Sequence, residues 1–350
     1  DRQYSILEMV MEAVLIYLQT PVPPPFQTKI LRLGGQSTLD VLNQESEPSI
    51  PPSSLRRAFQ KFQSSSAKLV LPGRDVSMLL PEALSLNGIW WVDKASLGIP
   101  SNEHLQYLDS LKSVNSPNLS GDLSSLAIEV QMKLQNLVSQ EQWMDYMHGL
   151  YSGSFEKKQA VIILQRLVEI LPATFQANEE LGEMGFILSR LQCFLDIIFG
   201  QLSCFPILYN IEHDSGNSAK SGHDKGVRSD FFIEVPCRPL SSIHRSEIVG
   251  LLGEVKPPEK DRRQCIKAQD FWKLVRMSKD EINAQILKGV TKPMTIFIQV
   301  FGFQLEMFVM TMDPNEGLYV LHTAAEGFLP RSRYDISGTG YIISIFQHAK

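Results

Sequence analysis

Cysteine is scarce in this chain, with four in 350 residues: Cys193, Cys204, Cys237 and Cys265. No two form a Cys-x-x-Cys pair, and none lies near a histidine at zinc-ligand spacing, so the usual structural zinc sites are excluded. Free thiols in an intracellular, reducing compartment are the expectation. Long hydrophobic runs are missing too. No uncharged apolar stretch reaches the roughly 18 residues that a membrane span needs. The helical pattern at 4–18 carries Glu8 and Glu12 and lacks a basic start and a cleavage site, so it does not read as a signal peptide. The chain opens at Asp1 rather than a methionine, as a fragment would. There is no excess of positive charge. A net charge of -5 excludes a globally basic nucleic-acid binder, and any attraction to phosphate must come from a local patch. Three catalytic signatures are also absent: the Gly-x-x-x-x-Gly-Lys-Ser/Thr phosphate loop, the Gly-x-Ser-x-Gly elbow and His-Glu-x-x-His.

What remains is an ordinary globular composition. The chain is 43% hydrophobic, enough to build one large domain or two of usual size. Residues 4–18 place Leu7, Val10, Met11, Val14 and Leu18 on one helical face before a proline cluster ends it. Residues 20–125 are rich in Pro, Ser, Asn and Gly and read as short, loosely organised elements. From about 123 the pattern becomes helical, with candidates at 126–137, 156–171 and 179–202. After a polar loop at 212–227 it turns to strands at 231–235 and 248–255. An amphipathic helix at 263–287 follows, then strands at 295–301, 305–312 and 318–322. This order predicts an α/β (α+β) chain with a helical and irregular region at 1–150. A mixed sheet flanked by helices is expected at 151–335, and a tail at 336–350.

Two charged residues stand at the end of an otherwise apolar strand, in Gly253-Glu254-Val255-Lys256-Pro257-Pro258. Residues two apart in a strand share a face, so Glu254 and Lys256 point the same way and Val255 points to the opposite layer. Asp230, in Arg228-Ser229-Asp230-Phe231-Phe232, starts the preceding strand. If the two strands pair, the carboxylates of Asp230 and Glu254 converge. One Mg2+ or Mn2+ held between them is then expected, since these hard cations take oxygen ligands. Such an ion polarises a phosphate oxygen and acidifies a bound water, while Lys256 orients the water or offsets transition-state charge.

Glu-x-Lys alone recurs by chance in any charged chain; the order of elements around it is what carries weight. That order resembles the PD-(D/E)xK nuclease superfamily: an acid at a strand start, then Glu-x-Lys ending the next strand, then a helix. A glutamate on a helix upstream completes the pattern. Glu179, Glu180 and Glu183 all lie in that stretch, and Glu183 fits the position. The helix from Asp270 to Asp280, and the pair around Ile298-Gln299-Val300-Phe301-Gly302 and 307–312, resemble one subgroup. That subgroup is the nuclease-like C-terminal domain of fungal Crinkler-type and mobile-element-associated proteins, and the likeness covers roughly 179–331. It implies a restriction-endonuclease-like sheet and catalytic Asp230, Glu254, Lys256 and Glu183, with Asp230 and Glu254 on the metal. It also implies nucleic acid, DNA above all, as substrate, a nuclear address and delivery into a host cell. Ser229 stands where the superfamily has its proline.

Simpler readings compete. The Glu254–Lys256 pair as an exposed strand-end ion pair is worth about 0–1 kcal/mol, Asp230 as a turn acid closes the 212–229 loop, and a glutamate in a helix's first turn favours the dipole. Residues 256–279 hold eight Lys and Arg against three Asp and Glu, a net +5, and offer a phosphate patch or a solvated helix face. Arg262, Arg263, Lys267 and Gln264 are the expected nucleic-acid contacts, with Gln269 also within reach of the site. His213, His223 and His244 read as solvated loop residues, and Trp90-Trp91 as packing residues. Function classes left open are a metal-dependent endonuclease, a catalytically silent nuclease-like module that binds nucleic acid or a protein partner, and an interaction scaffold.

Overall fold

The computed structural model describes residues 54–70, 80–95, 97, 121–136, 139–174, 182–200, 207–209, 229–237, 246–258, 264–290, 292–313 and 316–349. The helix expected at 4–18, the loop at 212–227, and Glu179, Glu180, Arg262, Arg263, His213, His223 and His244 lie outside them.

Among the described residues, seven strands form one mixed sheet. In chain order they are β1 (Ile89–Trp91), β2 (Ile207–Tyr209), β3 (Phe231–Cys237), β4 (Ser246–Lys256), β5 (Met294–Phe301), β6 (Gln304–Asp313) and β7 (Leu318–Phe328). Their spatial order is β1-β7-β6-β5-β4-β3-β2. Two pairs are parallel, β4 with β5 and β1 with β7; the others are antiparallel. Before β1 come α1 (Ser54–Val70) and α2 (Leu80–Leu86). Next are α3 (Gly121–Asn136), α4 (Gln140–Leu150) and α5 (Phe155–Ile170), then a broken helix of α6 (Glu183–Phe186), a π turn (Ile187–Leu191) and α7 (Gln192–Ile198). Helix α8 (Gln264–Leu287) carries the chain from β4 to β5, and α9 (Thr339–Ala349) follows β7. Among the described residues no helix is long and apolar enough to cross a membrane.

Strand alternation sorts side chains into two cores. In β5, Ile296, Ile298 and Val300 enter one cluster with Leu251, Val255, Leu305 and Met307, packed on α3, α5, α7 and α9. Phe297 enters the other, with Leu252, Phe308 and Phe271, Trp272, Leu274 and Val275 of α8. Four rings fix the seat of α8: Trp91 stacks on Phe271 at 4.8 Å between centroids, and Phe297 stacks on Phe308 at 4.9 Å. At the far end of α8, the Gln285 amide donates to the Met294 carbonyl and accepts from the Met294 N–H, both at 2.9 Å. Lys279 donates to the Asn87 carbonyl at 2.7 Å and lies over the Tyr319 ring, tying α8 to the α2–β1 turn.

The register of β3 on β4 shifts between Ile233 and Glu234, passing over Gly250. This bulge changes which face the strand presents: Val249 lies in the α8-side core and Leu251 in the opposite one. Beyond the bulge, Phe231 lies directly across from Gly253, and the buried Phe231 ring fills the space a side chain there would need.

Several elements were hidden in the sequence. Residues 54–70 form a helix despite Ser64-Ser65-Ser66, and each of these hydroxyls donates to the carbonyl four residues earlier, at 2.8–3.1 Å. The expected helix at 179–202 begins at Glu183 and carries a π turn. The stretch set apart as a tail at 336–350 forms α9, with Ile342, Ile343, Ile345 and Phe346 fully buried. Strand β1 and helices α3 and α4, from the region before 151, belong to the same sheet and core. Substituting Gly253→Ala forces a Cβ into the Phe231 ring. We expect a loss of about 1–3 kcal/mol in urea denaturation, with the native β content retained by circular dichroism.

Candidate functional site

The ends of β3 and β4, the first turn of α6 and the N-terminal half of α8 meet at one place. Asp230 precedes β3 and extends its pairing with β4, its N–H donating to the Gly253 carbonyl at 2.9 Å. Its Oδ2 accepts the Val255 N–H at 2.6 Å, so the carboxylate ends the ladder. Alternation along β4 then places Val255 in the apolar core and Glu254 on the α8 side.

Glu254 is 2% exposed. A carboxylate buried to that degree requires counter-charge. Lys256 Nζ lies 3.3 Å from its Oε1, and Lys273 Nζ, reaching from α8, lies 2.5 Å from its Oε2. Lys256 has a closer partner in Glu183, which the first turn of α6 presents at 2.6 Å. Gln299 is the β5 neighbour of Glu254, and its amide donates to the Lys267 carbonyl at 2.7 Å, which pins the first turn of α8 over the sheet. Asp270 lies one helical turn before Lys273, and its Oδ2 is buried without a hydrogen bond.

Four residues expected from the sequence, Glu183, Asp230, Glu254 and Lys256, are therefore gathered in one network. The oxygens expected to hold a metal ion have partners within the protein. Both Glu254 oxygens are engaged by ammonium groups, and Asp230 Oδ2 is engaged by a backbone N–H. Among the described residues no group of three or more His, Cys, Asp and Glu is arranged to hold a metal ion. As the side chains stand, Mg2+ or Mn2+, which binds through one or two carboxylates and several waters, has to compete with two ammonium groups for Glu254.

The expected phosphate patch is also occupied where it is described. Lys267 pairs with Glu306 at 2.5 Å, Lys273 with Glu254, Lys256 with Glu183, and Lys279 with a carbonyl. Arg262 and Arg263 lie outside the described residues, and so does the side chain of Gln264.

Comparison with protein-family models, with curated proteins and with solved structures finds no match to this chain. The site must be read from its own chemistry.

Sequence reasoning missed Lys273, Asp270 and Gln299. A signal existed: Asp270 and Lys273 are three apart and set among Phe271, Trp272, Leu274 and Val275, all buried. Charges placed inside an apolar helical stripe need partners on the sheet.

Burial sets the proton affinities. It pushes Glu254 up to about 7, against the pull of Lys273 and Lys256 in the other direction. Burial likewise raises Asp230, although the Val255 N–H and both lysines oppose it, and raises Asp270. For Lys256, burial favours the neutral form, but the carboxylates around it outweigh burial and hold the ammonium above its ordinary range. The consequence for stability has a definite sign. Between pH 4.5 and about 7 the folded protein keeps on Glu254 a proton that the unfolded chain has released. Stability from this group is therefore lost as pH rises through that window. We expect Glu254→Gln to remove this slope. Measured by urea unfolding, the variant's stability relative to wild type should rise from pH 5 to pH 8; a pH-independent difference would contradict it.

Proposed function

We propose that this chain is a nuclease-like module that binds nucleic acid without cleaving it. The nuclease-like part of the reading is supported by the gathering of Glu183, Asp230, Glu254 and Lys256 at the ends of adjacent strands. It is supported further by the path of the chain, from the Glu183 helix through an antiparallel β3–β4 pair and a helical crossover to parallel β5. A restriction-endonuclease-like sheet is the form that this order suggests.

One observation carries the silent part of the reading. The Glu254 carboxylate is met on both oxygens by lysines, so a metal ion there has to compete with two ammonium groups. Hydrolysis of a phosphodiester in this type of site needs polarisation of phosphate and an acidified water. Both come from a metal ion, for which two ammonium groups compete at Glu254. Phosphate binding needs less. Between β4 and α8 the sequence holds Lys260, Arg262 and Arg263 against Glu259 and Asp261.

The test uses supercoiled plasmid and fluorescent single- and double-stranded oligonucleotides, with Mg2+ or Mn2+, on the wild type and on Asp230→Asn and Lys256→Ala. The expected result is binding by anisotropy that weakens as salt rises, with no nicking. Metal-dependent nicking that both substitutions abolish would overturn the reading and make the protein a hydrolase. Absence of both nicking and binding would move the ligand from nucleic acid to a protein partner.

A further inference from the structure

The family likeness calls for a divalent cation on Glu254, yet the side chains supply a lysine there. We propose that Lys273 is the resident counter-cation of this centre, and that its ammonium excludes a divalent ion from the Asp230–Glu254 carboxylates. The inference rests on the non-cleaving reading above and names what enforces it.

Distances separate the roles of the two lysines. Lys256 is shared, lying 2.6 Å from Glu183 and 3.3 Å from Glu254. Among the described residues, the close contact of Lys273 is with Glu254, at 2.5 Å. Its side chain is 26% exposed while that of Glu254 is 2% exposed, so the ammonium covers the carboxylate from the solvent side. Asp230 and Asp270 also feel the Lys273 charge. Glu183, Asp230, Glu254 and Asp270 are thus served by two lysines, and losing Lys273 leaves one.

The backbone of α8 holds Lys273 in place. On either side of it, Phe271, Trp272, Leu274 and Val275 are buried in the aromatic core, and Gln299 grips the Lys267 carbonyl two turns before it. An ammonium delivered by an anchored helix competes for the carboxylate without the association entropy that a free ion loses. Mg2+ must also shed water to bind carboxylates directly, which it does reluctantly. The tethered cation therefore wins.

The test is Mn2+ titration by calorimetry and by the electron paramagnetic resonance signal of free Mn2+, at pH 8. The proteins compared are wild type, Lys273→Gln, Lys273→Met, Lys273→Arg and the double variant Lys273→Gln/Glu254→Gln, each checked for fold by circular dichroism. Lys273→Gln and Lys273→Met should each take up one Mn2+ at least about tenfold more tightly than wild type, a gain of about 1.4 kcal/mol. Lys273→Arg should behave as wild type, and the double variant should lose the gain. Wild-type binding as tight as that of either neutral variant overturns the proposal. So does a folded neutral variant that gains nothing. If neither neutral variant folds, one-site Mn2+ uptake by wild type overturns it, and failure of wild type and Lys273→Arg alike to take up Mn2+ upholds it. Oligonucleotide binding by wild type is read alongside. Its absence together with Mn2+ uptake in Lys273→Gln sinks the binding reading alone, and its presence without that uptake sinks this inference alone.

Discussion

A single buried carboxylate organises this protein's functional end. Glu254 lies at the end of a core strand with 2% of its surface exposed, and a charge in that position must be matched inside the fold. Everything around it answers that need. Lys273 descends from α8, and Lys256 turns back from the same strand toward both Glu254 and Glu183. Asp230 closes the β3–β4 ladder beside it. A hydrophobic residue at 254 would remove the burial cost and the close partner of Lys273, while Lys256 would keep Glu183.

The apolar architecture positions these groups, and the polar groups in turn mark where the apolar architecture ends. The stack of Trp91, Phe271, Phe297 and Phe308 seats α8 on the sheet and thereby fixes Lys273 and Asp270 over β4. The bulge that passes over Gly250 resets the alternation of β4, so that Leu252 and Glu254 face α8 while Val255 faces the opposite layer. Without that extra residue Val249 and Leu251 would share one face, as period two requires. On the far side, α6 brings Glu183 around the strand ends to Lys256. Two helical layers thus contribute to one ionic network at the rim of a single sheet.

The network carries a cost. Burial drives Glu254, Asp230 and Asp270 toward their protonated forms, and the lysines offset only part of this. Concentrated strain of this sort is common where a fold serves a ligand rather than its own stability. The Lys267–Glu306 pair, by contrast, bridges α8 to β6 between groups that retain some solvent and acts as an ordinary brace.

Much of this was legible from residue order. Alternation and amphipathic spacing located β3 to β7 and α8, because each depends on local periodicity that survives any packing. Glu254 and Lys256 were placed on one face by the same local rule. Helix α1 escaped notice because its serines satisfy their hydroxyls within the helix, which composition does not reveal. Helix α9 escaped because a short run rich in isoleucine suits a buried strand and a buried helix equally. The sequence signal at Lys273 called for a partner but could not name Glu254 as that partner. Lys273 is 19 residues away in sequence, and only the parallel crossover of α8 from β4 to β5 brings its ammonium to the carboxylate. Periodicity determined which residues share a face, whereas the long-range packing of α8 decided which charges meet. That meeting put a lysine ammonium against each of the Glu254 oxygens.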